Sequence, residues 1–261
     1  MIARLMLGLV VLGAPAAAQH LGARIAAIPA GTVRFTFPAR PGVCGSGRSV
    51  FSREGRHMST GERWGAGSEV EYDCEPGPVR VSLTVHGGTV QAVRTYVGGR
   101  WVSPPRDAAV TDLGAVAPRE AVDYLLALAA RDAGSAGPDA ILPATLADSV
   151  TVWPALLGLA RDDRVIRRTR RQAVFWLGQA AEDAATGGLI DLMSDTAADR
   201  DLKEQAVFAL SQRPRDEGIP ALIRVARSHP DRAVRRQALF WLGQSDDPRA
   251  LALFQELLAA P

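Results

Sequence analysis

The sequence predicts a multidomain molecule, part β and part α: a small antiparallel β module with one disulfide, followed by an α-solenoid of stacked helical hairpins. Three observations predict it. The decapeptide RRQAVFWLGQ at Arg170–Gln179 returns as RRQALFWLGQ at Arg235–Gln244, with only Val174 against Leu239 to separate them. Before residue 103 polar and apolar residues alternate with period two, the mark of half-buried strands. Both cysteines of the chain, Cys44 and Cys74, fall in that first half.

The first 18 residues are set aside from the fold. Arg4 supplies a positive start, Leu5 to Gly13 a short apolar run, and Ala16-Ala17-Ala18 a small-residue site before Gln19. This is the pattern of a secretory signal peptide over 1–18. The apolar run is shorter than the roughly 20 residues of a spanning helix, so no stable membrane insertion is expected after cleavage. The sequence places the mature protein in the periplasm or outside the cell. An oxidising compartment suits a Cys44–Cys74 disulfide, whose closed loop is worth roughly 3–4 kcal/mol in the chain-entropy model.

Residues 19–103 form the expected β module. Thr32 to Phe37 and Val79 to Val85 alternate strictly, and Gly87-Gly88 is a tight-turn signal because both positions accept positive φ. Val90 to Val97 is then the partner strand. Ser49 to Ser52 and Glu69 to Cys74 are further candidates. No fold family is recognisable here. The proline-led stretch 104–117 reads as a linker.

From 118 to 261 the text is helical. Pro118 opens one run with a residue suited to the first helical turn, and Pro138 starts the next. Phe175, Phe208 and Phe240 occupy equivalent places in QAVFWLGQ, QAVFALSQ and QALFWLGQ, 33 and 32 residues apart. Self-similarity at this period means stacked helical hairpins, each too small to keep its own apolar face dry. On Val234 to Gln244, Val234, Ala238 and Leu242 form one apolar line. Gly243 sits where a left-handed helix end suits glycine.

The stretch Asp231 to Leu251, with its Val-Arg, small residues, Leu-Gly, polar turn and restart at Asp-Pro, resembles the short HEAT repeat of the phycobilisome-lyase-like kind. The resemblance covers roughly Trp153 to Leu258. It implies a right-handed solenoid of about four and a half helical pairs, extended back to Pro118, with Asp247 to Ala259 as its cap. It does not imply lyase activity. The sequence departs from the family pattern where Phe240 and Trp241 stand, since that pattern has a polar and a small residue there.

On a helical wheel Gln237, Phe240, Trp241 and Gln244 share a face away from the Val234–Ala238–Leu242 line. So do Gln172, Phe175, Trp176 and Gln179, and in part Gln205, Phe208 and Gln212. Two readings compete. The aromatic residues fill gaps between repeats, or they make a Gln/aromatic ladder that grips another protein or a peptide segment, since aromatic anchors flanked by amides suit recognition.

Charge excludes little and directs little. With 30 basic and 28 acidic residues the formal net charge is +2. Arg164, Arg167, Arg168, Arg170 and Arg171, and later Arg232, Arg235 and Arg236, cluster beside acidic neighbours, which favours structural Asp–Arg pairs between units. With an export signal as well, no nucleic acid is expected. The four histidines have no metal-ligand spacing, and no phosphate loop or nucleophile elbow is present. The sequence therefore predicts no catalytic residues, no cofactor and no metal site. Arg94, Tyr96 and Arg100 are the polar residues of the module that either face a ligand or stand in solvent. The expected function is an exported, non-catalytic scaffold or regulator. The alternative is an enzyme or ligand-sensing protein with its site in the β module or at the domain interface.

Overall fold

The computed structural model describes residues 21–47, 50–52, 57–58, 75–101, 109–180 and 183–259. In chain order the first half holds α1 (Leu21–Ala26), β1 (Ala30–Phe37), β2 (Val43–Gly45), β3 (Val50–Ser52) and β4 (His57–Met58). Then come β5 (Glu75–Pro76), β6 (Val79–His86), β7 (Thr89–Val97) and β8 (Val110–Ala115). The signal peptide 1–18, the candidate strand 69–74 and Cys74 lie outside the described residues.

The strands make two four-stranded sheets, the larger in the order β7-β6-β1-β8 and the smaller β4-β3-β2-β5. In the larger one β1, β6 and β7 are antiparallel neighbours, as their alternation predicts. Val33, Phe35, Phe37, Val79, Val81, Leu83 and Val97 point to one side and are buried. Gly87 and Gly88 both take positive φ, +57° and +71°, and close the expected hairpin.

Two expectations need correction. The stretch 104–117 is not simply a linker, because it contains β8. That strand runs parallel to β1, so the sheet is mixed rather than antiparallel. VTDLGA carries little alternation and is mostly exposed, because an edge strand meets few neighbours, and so its period-two signal is weak.

The sheet does not bury its apolar face alone. Leu21 and Ile25 of α1 pack there, together with the first helical pair, α2 (Pro118–Arg131) and α3 (Ala136–Thr145). The Leu21 amide donates to Glu120 Oε1 at 2.6 Å, the Arg40 amide to the Leu146 carbonyl at 2.8 Å, and the Asp148 amide to the Pro38 carbonyl at 3.0 Å. One buried apolar cluster consequently runs from Leu21 to Leu253 across the expected module boundary. A four-stranded sheet with one apolar face needs a second layer, and the first hairpin supplies it.

In the smaller sheet Cys44 of β2 pairs with Pro76 of β5, two residues beyond Cys74. Cys44 is not a free thiol. Since Cys74 falls outside the described residues, the Cys44–Cys74 bond stays an expectation here.

The remaining helices are α4 (Trp153–Arg161), α5 (Arg167–Gly178), α6 (Ala184–Ser194), α7 (Arg200–Ser211), α8 (Arg215–Ser228), α9 (Arg232–Gly243) and α10 (Pro248–Ala259). They stack as pairs: α3, α5, α7 and α9 stand side by side in one row, and α4, α6, α8 and α10 in the other. Pro138 lies in the first turn of α3, where its missing N–H costs nothing, rather than at its start. Val234, Ala238 and Leu242 are fully buried, as their spacing predicts.

Gly243 does not take the left-handed conformation. The C-cap after it, Gln244, has φ −93°, and the positive φ of +49° falls on Asp246. Its counterpart Gly178 has a different use: a Cβ there would lie 2.8 Å from the Ala209 carbonyl oxygen, so glycine lets α5 and α7 touch backbone to backbone.

Polar links join the repeats. Asp199 accepts from the Leu202 amide at 2.9 Å and caps α7, while its other oxygen accepts from Arg170 at 3.2 Å. Asp231 caps α9 through the Ala233 amide at 2.7 Å. Buried Arg213 donates to Thr186 Oγ1 at 2.8 Å, to Glu217 Oε2 at 2.7 Å and to the Ala180 carbonyl. Buried His229 accepts the Asp231 amide at Nδ1, which leaves Nε2 to donate to the Met193 carbonyl at 3.1 Å.

Candidate functional site

The Gln/aromatic positions come from the C-terminal halves of α5, α7 and α9, neighbours in one row. Their identical phrasing follows from an identical local task, and their surroundings grade from buried to open. Trp176 is buried, Phe175 and Phe208 are half-buried, Trp241 is half-buried, and Phe240 is 54 % exposed. Gln172, Gln179, Gln205, Gln212 and Gln237 are half-buried and Gln244 is exposed.

The ladder divides by residue type. The tryptophans pack inward. Trp241 meets Phe208 of the preceding repeat at 5.1 Å between ring centroids, and Trp176 meets Phe175 edge-on at 5.1 Å. The phenylalanines lie further out, and Phe240 stands over Trp241 edge-on at 5.1 Å with most of its other face in water. The indole Nε1 atoms of Trp176 and Trp241 are buried without a hydrogen-bond partner. Gln212 Nε2 donates to Ser211 Oγ at 3.1 Å.

At its N-terminal end the ladder meets a cleft of about 400 Å³, within the size range of ligand pockets. One wall is Trp176, Gln179 and Ala180 of the α5 end. Another is the turn from Thr145 to Val152, where Ser149 holds a positive φ of +56°. Arg40 and Pro41, from the turn after β1, complete it. Sequence reasoning does not find this site, because its walls are brought together from β1–β2, α3–α4 and α5 with no motif in common.

The basic cluster ahead of the first phrase is tied down in part. Arg164 is paired with Asp162 at 2.8 Å, Arg167 with Asp201 at 2.9 Å and Arg170 with Asp199 at 3.2 Å. The hydrogen bonds from Arg164, through side chain and backbone, pull the Asp162 carboxyl down to about 2. Arg235 donates to the carbonyls of His229 and Pro230 at 2.6 and 2.9 Å. Among the described residues no cluster of His, Cys, Asp and Glu is arranged to hold a metal ion. His86 is exposed at the hairpin and His229 is buried in the repeats, so these two do not converge.

Two rows of antiparallel helices sharing one continuous core define an α-solenoid, a class that offers an extended surface along its length. A family model described as HEAT repeats matches residues 188–261. Over that span the stacked helices are similar to HEAT repeats, which generally mediate protein–protein interaction. The phrase at Arg170–Gln179, on a helix that stacks directly on α7, carries the same unit ahead of the matched span. No curated protein matches the sequence.

Proposed function

We propose that this is an exported, non-catalytic scaffold or regulator that holds a segment of another protein along the α5–α7–α9 row. The observation that carries the reading is Phe240, a large apolar side chain left 54 % exposed on the same surface as Phe175 and Phe208. An exposed aromatic anchor with half-buried aromatics and amides beside it suits a recognition surface. The close approach at Gly178 supports placing this row on the inner, shorter side of the stack, where a bound segment meets several helices at once. Export rests on the residue pattern of 1–18, and a Cys44–Cys74 bond would suit that destination. Among the described residues no helix is long and apolar enough to cross a membrane.

A second reading, ligand sensing at the domain interface, draws support from the 400 Å³ cleft between Arg40, the Ser149 turn and Trp176. One set of variants separates the two. A partner is first captured from the envelope or culture fluid of the producing cell, and its affinity is then measured for Phe175→Ser/Phe240→Ser and for Arg40→Ala/Ser149→Trp. Loss in the first variant alone supports the groove, and loss in the second alone supports the cleft. If both retain affinity while folded, the row is not the binding surface.

A further inference from the structure

Arg80 is a cation sealed in the protein. It stands on the outer face of β6, is only 4 % exposed, and among the described residues forms no ion pair; the Glu75 carboxylate at the same turn accepts from the Gly99 amide at 3.1 Å. Its Nη2 donates to the Gly47 carbonyl at 3.3 Å and to the Gly98 carbonyl, which ties the loop after β2 to the turn after β7. Gly47, Gly98 and Gly99 all have positive φ, and a Cβ at Gly98 would reach to 2.4 Å from the Gly45 carbonyl oxygen, so the two loops close tightly on the guanidinium. This latch accounts for Nη2. Nε is buried and meets no partner.

A second guanidinium comes to the same place. Arg34 lies 4.8 Å from the centroid of Trp101 and Arg80 lies 5.0 Å from it, so one indole carries two cations. Burial first, and the Arg34 charge after it, draw the Arg80 pKa below its ordinary value, with Tyr96 acting the other way. A cation taken out of water, as Arg80 is, and crowded by a second one is costly unless an anion answers it. Arg34, Arg80 and Arg100 line, with Ser82, Tyr96 and Trp101, a cleft of about 50 Å³. That is roughly four times the space one ordered water needs, enough for one compact group. Asp112 is the acid in register with Arg34, on the β8 side of the row, away from Arg80.

We propose that this cleft is an oxyanion site for a single tetrahedral group of the phosphate or sulfate class. Guanidinium forks and two hydroxyls approaching from different strands make a three-dimensional donor set. A planar carboxylate would engage one fork, whereas a tetrahedral anion of higher charge engages all of them. Arg94, in register with Ser82 on the same outer face, adds positive potential at the mouth. The site lies on the opposite face of the sheet from the helices and is independent of the ladder.

The test is calorimetric titration of the full mature chain with inorganic phosphate, with sodium chloride of equal ionic strength as the blank. One saturable site is expected. Arg34→Gln and Arg100→Gln should each weaken it roughly tenfold, the usual scale for one charge-assisted hydrogen bond. Both leave the Arg80 latch in place, and an unchanged thermal midpoint verifies that. Glycerol 3-phosphate is the second arm: binding there assigns the site to a phosphoryl group on a larger molecule, and binding of the free ion alone assigns it to the ion. Equal affinity for acetate overturns the tetrahedral assignment. No saturable heat up to about 10 mM phosphate, or unaltered binding in both variants, overturns the site altogether.

Discussion

The two near-identical decapeptides allow one substitution to be made twice in the same words and with opposite results. Gly178→Ala places a methyl 2.8 Å from the Ala209 carbonyl oxygen and 3.0 Å from its Cα, both backbone atoms of the neighbouring helix. Neither can swing away, so α5 and α7 must part by several tenths of an ångström along their whole contact. Overpacking of this kind costs about 1–3 kcal/mol, against which the better helix propensity of alanine returns at most about 1 kcal/mol. Gly243→Ala meets only the tip of the Phe254 ring, at 3.8 Å, an ordinary contact. It keeps the propensity gain without the clash and should be neutral or stabilising by up to about 1 kcal/mol. In a chain of this size 1 kcal/mol moves the melting midpoint by roughly 2–4 °C. Thermal unfolding followed by circular dichroism, with hydrogen exchange on α5 and α9, reads both changes. Stacked repeats need not melt together, and the exchange data locate which part opens. Equal shifts in the two variants would refute the claim that identical words hold different positions in the stack.

Two further outcomes follow from the same packing. Leu242→Ala removes a fully buried side chain from the seam between α9 and its neighbours and should cost about 2–5 kcal/mol by urea unfolding; a loss below 1 kcal/mol would mean that the last repeat is loosely held. The Asp247 carboxyl is drawn down to about 2 chiefly by the Arg249 side chain, which donates from Nε and Nη2 at 2.9 and 2.8 Å. A depressed carboxyl contributes stability that is complete above its unfolded value near about 4 and fades as pH falls towards 2. Asp247→Asn should therefore flatten the stability curve between about pH 4 and 2 and leave its neutral slope alone, as acid melts of the two proteins would show.

How much the sequence discloses depends on how each element is buried. Helices α4 to α10 were legible because every repeat restates one pattern, and β1, β6 and β7 because one face of each is dry and the other wet. β8 was not, since its residues are mostly exposed and leave no alternation to read. Gly243 misled because glycine near a helix end has two uses, conformational freedom and close approach, and the letter does not say which. The ladder residues were found from spacing, but their division into inward tryptophans and outward phenylalanines depends on the adjacent repeat, as the Phe208–Trp241 contact shows. The Arg34–Arg80–Trp101 cluster joins residues up to 67 positions apart across two strands and a turn, and the sequence pattern marks only its neighbours Tyr96 and Arg100.

The sheet that lies on α3 has an architectural effect of its own. A stack of identical hairpins is indifferent to where it stops: its terminal helix shows the same greasy flank that every internal helix uses to receive a neighbour, and copies of such a molecule can join head to tail into fibres. Here that flank is occupied by β7, with Ser135 bonded to the Gln91 carbonyl across the seam. The β layer is thus an end-plate welded to the array, and a fragment beginning at the first helical pair would expose that flank to water and self-associate.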